Sequence, residues 1–190
     1  MRAAIYLGSH EGARPVYMQN AYELGRRLAL EGIGVVYGGA SIGTMGALSS
    51  GVASAGGECI GVFPEGFKGR PDVAEAGIDI RGSRLTQDII VPDFATRKAE
   101  MERLSDLCIA LPGSWGTLDE LFTYATSTQL QFNGGKPLFV LNTDGYYDGL
   151  VQLVQKMYAE GFIEECTLSL LCFVPTVEEL VEEVKKLRKA

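Results

Sequence analysis

The stretch that sets the fold runs LCIALPGSWGTLDE, from Leu107 to Glu120. Its first five residues are an apolar run typical of a buried strand, and the glycines after Pro112 let the backbone turn sharply and approach a ligand closely. A helical pattern follows directly, and the start of a helix favours an anion such as phosphate through its free N–H groups and dipole. The stretch therefore predicts an anion site, with Glu120 one turn into the helix and able to face the sugar of a nucleotide.

A purely structural interpretation of the same residues stays open. Thr117 and Glu120 have the spacing of a capping box, in which Glu120 would only accept a hydrogen bond from the backbone N–H of Thr117. Asp119 is not needed for such a cap. Thr176 and Glu179 have the same spacing, and there we expect a cap and nothing more.

Short apolar runs alternate with helical patterns along the whole chain. The predicted strands are Ala3–Leu7, Gly34–Tyr37, Cys59–Phe63, Asp88–Val91, Leu107–Leu111, Leu138–Leu141 and Cys172–Val174. The predicted helices are Val16–Glu31, Thr44–Ala55, Asp93–Leu104, Thr117–Gln131, Tyr147–Glu160 and Val177–Lys189. Nearly all-apolar strands that alternate with helices indicate an α/β fold, a parallel sheet covered by helices. The segment Pro64–Ser83 is predicted to be a long surface loop.

Composition limits the function classes. The chain has 190 residues and a net charge of −7, and 46% of its residues are hydrophobic, which suits a single domain over residues 1–190. An acidic chain is not expected to bind duplex nucleic acid or anionic membranes. The apolar runs are shorter than the roughly 18 residues of a membrane span. The run before Gly8 is too short for a secretory signal.

Cysteine and histidine usage narrows the chemistry. Cys59, Cys108, Cys166 and Cys172 form no C-x-x-C pair, which favours buried, reduced thiols over disulfides or zinc ligands and indicates a cytoplasmic protein. His10 is the only histidine, which argues against Ser-His-Asp and Cys-His catalysis and most His-rich metal sites. We therefore expect no metal and no cofactor, and chemistry carried by carboxylates, arginine, lysine or backbone.

Four segments follow predicted strands at the edge where open parallel sheets bind ligands. They begin at Gly8-Ser9, at Gly38-Gly39, at Pro92 and at Pro112. The second has the spacing G-G-x-x-x-G-x-x-G, which is neither a dinucleotide fingerprint nor a Walker A loop. It is interpreted either as a turn that permits close packing or as a cradle for phosphate or ribose, and the pattern does not decide between them.

Two cations stand near the start of the helix after Pro92. Arg97 offers a planar fork suited to phosphate, and Lys98 offers a point charge. The alternative is a solvated helix face on which these cations pair with Glu100 and Glu102.

Three motifs together resemble one family. Pro112–Glu120 matches the pattern P-G-G-x-G-T-x-x-E with Ser114 for the second glycine, Gly38–Gly46 matches G-G-x-x-x-G-x-M-G, and Arg97–Met101 matches R-K-x-x-M. On these motifs the chain resembles the LOG family, phosphoribohydrolases that release the free base from cytokinin riboside 5′-monophosphates, many of them labelled lysine decarboxylases. The resemblance spans nearly the whole chain.

The resemblance implies a Rossmann-like, doubly wound parallel sheet with helices on both faces, a nucleoside monophosphate substrate and a homodimer with partner residues near the site. It implies Arg97 and Glu120 as the catalytic pair. With the loops above, it gives these candidate substrate contacts: Gly8, Ser9, Gly38, Gly39, Gly43, Thr44, Met45, Gly46, Asp79, Arg97, Lys98, Gly113, Ser114, Trp115, Gly116, Thr117, Asp119, Glu120 and Thr126.

The chain also departs from the family pattern. Phe94 and Ala95 stand where the family commonly has Met-His, and Ser127 stands near a common Trp. These positions are expected to shape the base pocket or the dimer contact, so the preferred base stays open.

Cleavage of an N-glycosidic bond gives the ribose oxocarbenium character, which a carboxylate such as Glu120 stabilises while it orients or deprotonates water. Arg97 is expected to assist the leaving base or the phosphate. Asp119 is adjacent on the helix and diverges by roughly 100°, so it is not expected to face the same ligand.

Three other functions compete with hydrolysis. The first is a nucleotide-binding or carrier protein of the same fold. The second is a pyridoxal phosphate decarboxylase using Lys98 or Lys136. The third is a structural interaction module, which leaves the glycine and basic loops unexplained.

Overall fold

The first half of the chain builds one side of the sheet, and the second half builds the other side. The computed structural model describes residues 1–65 and 84–188. Its sheet is parallel throughout, in the order β4-β3-β2-β1-β5-β6-β7. The strands are β1 (Arg2–Tyr6), β2 (Gly34–Tyr37), β3 (Cys59–Pro64), β4 (Gln87–Val91), β5 (Leu107–Ala110), β6 (Leu138–Leu141) and β7 (Cys172–Val174). The strand predictions are confirmed, with ends that differ by one residue at most.

The predicted helices are confirmed as well. They are α1 (Pro15–Leu30), α2 (Gly43–Ser54), α3 (Phe94–Arg103), α4 (Trp115–Gln129), α5 (Asp148–Ala159) and α6 (Val177–Leu187). Local chemistry sets several starts: Pro15 opens α1, and the Asp93 carboxylate caps α3 by accepting from Thr96 N–H. Thr176 caps α6 by accepting from Glu179 N–H, as predicted. The predicted surface loop and Asp79 lie, beyond Glu65, outside the described residues.

Two apolar layers cover the two faces of the sheet. Ala3 and Ile5 of β1 pack with residues of α1, α2 and α6, whereas Ala4 and Tyr6 pack with residues of α3, α4 and α5. Because successive strand residues point to opposite faces, a strand that is buried on both faces must be apolar at every position. The fold is therefore a doubly wound Rossmann-like α/β sheet, as predicted.

Glycines let α1 and α2 pack backbone to backbone. A Cβ at Gly51 would lie 2.0 Å from the Tyr22 carbonyl oxygen, which no side-chain rotation can relieve. We expect Gly51→Ala to lower the free energy of unfolding by about 1–3 kcal/mol, the usual cost of overpacking, measured by urea denaturation. Gly149→Ala on α5, where a Cβ would meet nothing within 4 Å, is the control and should not destabilise. Equal stabilities of the two variants would contradict the close approach.

The cysteines divide into two groups. Cys59 and Cys108 are buried free thiols, as expected from their strands. Cys166 and Cys172 are also free but exposed, so the expectation of burial is wrong for them. Cys166 lies in the connection between α5 and β7, and Cys172 lies on β7. Because β7 is the edge strand, less chain covers this part of the sheet. In the part of the chain that the structure describes, no helix has the length and apolar character to cross a membrane.

Candidate functional site

A cavity of about 250 Å³ opens at the carboxyl end of the sheet. It lies against the segments that follow β1 and β5, the neighbouring strands at which the strand order reverses. Doubly wound sheets bind ligands at this position. The cavity is lined by Gly8, His10, Glu11, Gly12, Tyr17, Thr44, Pro112, Gly113, Ser114 and Tyr146. It therefore brings together the first, second and fourth of the loops singled out in the sequence.

Helix α4 begins at the wall of this cavity. Its first residue is Trp115, and Ser114 stands in extended conformation before it. A Cβ at Gly113 would lie 2.0 Å from Thr117 Oγ1 and 3.0 Å from Gly8 N, so only glycine fits there. The first N–H groups of a helix have no partner in a preceding turn. The glycine turn and the helix start that the predicted anion site requires are therefore present, and the binding of an anion there stays a prediction.

The capping-box interpretation of this helix start is wrong. Because α4 begins at Trp115, Thr117 is a helical residue and is not the residue before the helix. Thr117 is 2% exposed, and the Glu120 carboxylate accepts a hydrogen bond from Arg97. Glu120 is therefore held by a side chain from another helix.

The second glycine loop reaches the cavity through Thr44. Its hydroxyl donates to the Gly8 carbonyl at 2.7 Å, which ties the start of α2 to the loop after β1. Gly43 has a φ of +51°, and a Cβ there would lie 2.4 Å from the Ser9 carbonyl oxygen. Met45, in the first turn of α2, is buried in the core. Close packing of two loops therefore accounts for Gly43, and Thr44 is the member that faces the cavity.

Two further glycines of this loop also serve packing. Gly39 has a φ of +79°, and a Cβ added to it would lie 2.2 Å from the Phe63 ring. A Cβ at Gly46 would lie 2.3 Å from the Ser41 carbonyl oxygen. The packing interpretation, left open by the sequence, is favoured at these positions.

Arg97 and Glu120 form an ion pair that is almost completely covered. Arg97 Nη1 donates to Glu120 Oε1 at 2.8 Å, and Arg97 Nε donates to the Val62 carbonyl at 2.9 Å. The side chains are 12% and 10% exposed. The pair joins α3 to α4 across the end of β3. The two residues implied as catalytic are thus in direct contact.

Burial and charge act in opposite directions on Glu120. Burial raises the pKa of its carboxyl above the ordinary value, and the neighbouring Arg97 guanidinium offsets part of that shift. The remaining upward shift brings the pKa of this carboxyl closer to neutral pH, and a proton acceptor is most effective when its pKa is near the working pH. A buried carboxyl with a raised pKa and a specific charge partner is typical of functional sites.

Gly38 makes room for the Arg97 guanidinium. A Cβ at Gly38 would lie 1.9 Å from Arg97 Nη2 and 2.5 Å from Met45 Cε. We expect Gly38→Ala to push the guanidinium away from Glu120. The rate of the base release that the resemblance implies should then fall about 10²-fold, as it does for displacements near 1 Å. Steady-state turnover is the measurement, with circular dichroism to check folding and Gly149→Ala as the control. Full activity in Gly38→Ala would show that the position of Arg97 is not critical.

Lys98 and Asp119 form a second, more exposed pair. Lys98 Nζ donates to both carboxylate oxygens of Asp119 at 2.8 Å and to Thr123 Oγ1 at 3.0 Å. The Asp119 side chain is 62% exposed. Two adjacent carboxylates of α4 thus pair with two adjacent cations of α3. One of these pairs is covered, and the other has an exposed carboxylate.

The predicted alternative for Arg97 and Lys98, a face paired with Glu100 and Glu102, is wrong. Glu100 accepts from Arg103 on its own helix, and Glu102 accepts from Asn133. The two cations instead pair across to α4, because packing brings the helices side by side.

A groove of about 640 Å³ lies between α3 and α4. It is lined by Ala95, Lys98, Ala99, Glu102, Asp119, Phe122, Thr123, Thr126, Ser127 and Phe132. Thr126, a candidate substrate contact, therefore lines this groove and not the cavity. Two positions where the chain departs from the family pattern, Ala95 and Ser127, also line it.

The other candidate contacts do not share one location. Trp115 is 86% exposed, and a Cβ at Gly116 would meet nothing within 4 Å. Ser9 is exposed on the loop after β1. Asp79 lies outside the described residues. The assignment of all these residues to a ligand stays a prediction.

Several residues of the cavity wall and one partner of Arg97 were not predicted from the sequence. Tyr146 follows β6, the neighbour of β5 in the sheet, and the rule that ligands bind beyond strand ends would have found it. Tyr17 on the first turn of α1 and the Val62 carbonyl that holds Arg97 carry no local signal. Both positions depend on tertiary packing.

Known proteins with similar sequences agree with the family resemblance that the motifs indicate. A family model described as "Possible lysine decarboxylase" matches residues 45–184. The probable cytokinin riboside 5′-monophosphate phosphoribohydrolase LOGL2 of Oryza sativa subsp. japonica is 38% identical over 97% of this chain and 72% of its own length. The cytokinin riboside 5′-monophosphate phosphoribohydrolase LOG4 of Arabidopsis thaliana is 39% identical over 97% of this chain and 82% of its own length.

Solved structures share the fold. The molybdenum cofactor binding protein of Rippkaea orientalis superposes with a TM-score of 0.69 at 25% identity, over 98% of this chain and 96% of the other. The molybdenum cofactor carrier protein of Chlamydomonas reinhardtii gives 0.70 at 20% identity, over 100% of this chain and 98% of the other. With a family model matched over most of its length and near-full-length relatives at 38–39% identity, the chain belongs to the LOG family.

Proposed function

We propose that the chain hydrolyses the N-glycosidic bond of a nucleoside 5′-monophosphate, AMP or a cytokinin riboside 5′-monophosphate, to the free base and ribose 5-phosphate. The observation that carries the proposal is the covered pair of Arg97 on α3 and Glu120 on α4. The residues directly before α4 line a cavity at the reversal of strand order. The names of the relatives at 38% and 39% identity support it.

The cavity is proposed to hold the phosphate. Gly113 and Ser114 bring backbone to its wall at the start of α4, where the helix dipole and free N–H groups favour an anion. Thr44 adds a side chain from α2. A phosphate bound here contributes binding energy away from the reacting bond, which can orient the ribose toward Glu120.

Glu120 is proposed to act on the ribose side of the bond. As the bond between C1′ and the base nitrogen breaks, its electron pair moves to the base and positive charge develops on the sugar. The Glu120 carboxylate stabilises that charge and takes a proton from the water whose oxygen bonds to C1′. The base takes up a proton from solvent and Glu120 returns its proton to solvent, so the products are free base and ribose 5-phosphate.

Arg97 is proposed to keep this carboxylate ionised and correctly placed. Its guanidinium offsets the effect of burial on Glu120, and its bond to the Val62 carbonyl fixes its own direction. Of the other candidate contacts, Lys98 and Asp119 neutralise each other at the groove between α3 and α4. They are proposed to border the substrate rather than to take part in bond cleavage.

The test is release of free base from AMP, a prenylated AMP and other nucleoside 5′-monophosphates, followed by chromatography. The matched nucleosides without phosphate serve as controls. Base release confined to the monophosphates is the expected result, and the preferred base then identifies the substrate. Release from nucleosides at equal rates would contradict the phosphate site.

A second candidate is ligand binding without hydrolysis. The likeness at 25% identity to the molybdenum cofactor binding protein of Rippkaea orientalis favours it. Binding of monophosphates without any base release in the same assay would establish this alternative. A lysine decarboxylase is less favoured, because Lys98 is bound by Asp119 and Lys136 Nζ donates to the Glu102 carbonyl at 2.8 Å. Neither amine is presented as a free nucleophile.

A homodimer through the groove between α3 and α4 is also proposed. Phe122 and Phe132 both line this groove and are 43% and 82% exposed, so two large apolar rings share one surface, as they do in interaction sites. Light scattering tests the oligomeric state, and a monomer at micromolar concentration would contradict the proposal. A reducing, cytoplasmic location is proposed because exposed free thiols such as Cys166 and Cys172 persist under reducing conditions.

A further inference from the structure

Tyr146, in the segment after the neighbouring strand β6, contacts the glycine turn. Its hydroxyl donates to the Gly113 carbonyl at 2.6 Å, and the residue lines the cavity. We infer that Tyr146 is a positioning residue that fixes the orientation of the Gly113–Ser114 peptide and so prepares the start of α4 for the phosphate group of the ligand. The inference rests on the proposed phosphate site.

The hydrogen bond holds the carbonyl end of the peptide between Gly113 and Ser114. Glycine has the widest choice of backbone conformations, so the plane between Gly113 and Ser114 is not fixed by local sterics. A trans peptide is planar, with its C=O and N–H pointing in opposite directions. When Tyr146 holds the Gly113 carbonyl, the direction of the Ser114 N–H is therefore also set.

A neighbouring tyrosine holds the other end of the turn. Tyr147 donates to the Leu111 carbonyl at 2.7 Å, so consecutive tyrosines bind carbonyls on both sides of Pro112. The Tyr146 ring makes edge contacts with Tyr17 at 5.9 Å and with Tyr147 at 4.9 Å between centroids. These contacts restrict the Tyr146 side chain to the position from which it reaches Gly113.

The two tyrosines differ in their surroundings. Tyr147 is 3% exposed and belongs to the core, whereas Tyr146 is 45% exposed at the edge of the cavity. Loss of the Tyr147 hydroxyl leaves a buried carbonyl unsatisfied, which costs stability. Loss of the Tyr146 hydroxyl frees a carbonyl at the cavity, which changes the ligand site more than the core.

The experiment compares Tyr146→Phe with Tyr147→Phe by calorimetric binding of ribose 5-phosphate and of adenine. We expect Tyr146→Phe to weaken ribose 5-phosphate binding about three- to tenfold, the usual effect of one hydrogen bond, with adenine binding and thermal stability little changed. Tyr147→Phe is expected chiefly to lower the melting temperature and to weaken ribose 5-phosphate binding less than Tyr146→Phe does, because its hydroxyl serves the core. Where base release is observed, Tyr146→Phe should raise KM for the monophosphate more than it lowers kcat.

Equal ribose 5-phosphate affinities of wild type and Tyr146→Phe would overturn the inference, and so would equal losses in both variants. A wild-type protein that does not bind ribose 5-phosphate would overturn it as well. Failure of the hydrolase proposal is recognised separately, because a protein without base release can still show the expected difference in affinity between wild type and Tyr146→Phe.

Discussion

Replacement of Glu120 by glutamine is expected to lower kcat for base release by about 10²- to 10⁴-fold, the range that a positioned proton acceptor contributes. The amide keeps the shape of the side chain and can still accept the hydrogen bond from Arg97 Nη1. It cannot take a proton from water or balance positive charge on the ribose. Because the phosphate site is unchanged, KM should change far less than kcat.

The matched control for this variant is Glu100→Gln. Glu100 lies on α3 and pairs with Arg103 of the same helix, outside both the cavity and the pair of Arg97 and Glu120. Its variant is expected to retain turnover within about twofold, as surface substitutions usually do. Full activity of Glu120→Gln in a folded protein would exclude Glu120 as the proton acceptor and leave it a structural partner of Arg97.

The same carboxyl should set the acid limb of the pH profile. Burial raises the pKa of Glu120 despite Arg97, so protonation begins at a higher pH than for an exposed glutamate. Activity is therefore expected to fall on acidification while ordinary glutamates are still ionised. In Glu120→Gln this limb should disappear from the residual activity. A limb common to both proteins would belong to another group, such as the substrate phosphate.

The strands and helices could be predicted because their signals are local. Strands such as Leu107–Ala110 are apolar at every position, and glycine loops mark their ends. The carboxyl-end rule then gave the cavity, since it depends only on which strands are parallel. Tyr146 is predictable by the same rule, because it follows β6, the neighbour of β5.

The side-chain partners of the site could not be predicted in the same way. The spacing of Thr117 and Glu120 fits a cap, but a helix that starts at Trp115 puts Thr117 inside the first turn. The partner of Glu120 lies 23 residues earlier in the chain, and only packing of α3 against α4 brings them together. The divergence of Asp119 and Glu120 was anticipated, and it appears as one exposed and one covered carboxylate.

Arg97→Met is expected to affect both activity and stability. Loss of the guanidinium leaves the Glu120 carboxylate covered without a partner, which typically destabilises a protein by about 3–5 kcal/mol. Without the opposing charge, burial raises the pKa of Glu120 further, so the carboxyl is protonated over more of the working pH range. We expect turnover to fall about 10²- to 10³-fold, as for loss of a stabilising charge. Urea denaturation and the pH dependence of kcat are the measurements.

The double variant Arg97→Met/Glu120→Gln separates the two effects. If an unpaired buried charge causes the instability, replacing that charge with a neutral amide should restore part of the lost free energy of unfolding, although the protein stays inactive. The coupling free energy between Arg97 and Glu120 is obtained from the stabilities of wild type, the two single variants and the double variant. A double variant that is no more stable than Arg97→Met would show that the unpaired Glu120 charge does not cause the instability, and would attribute it to loss of the bond from Arg97 to the Val62 carbonyl. In that case neutralisation of Glu120 would not be its main structural role.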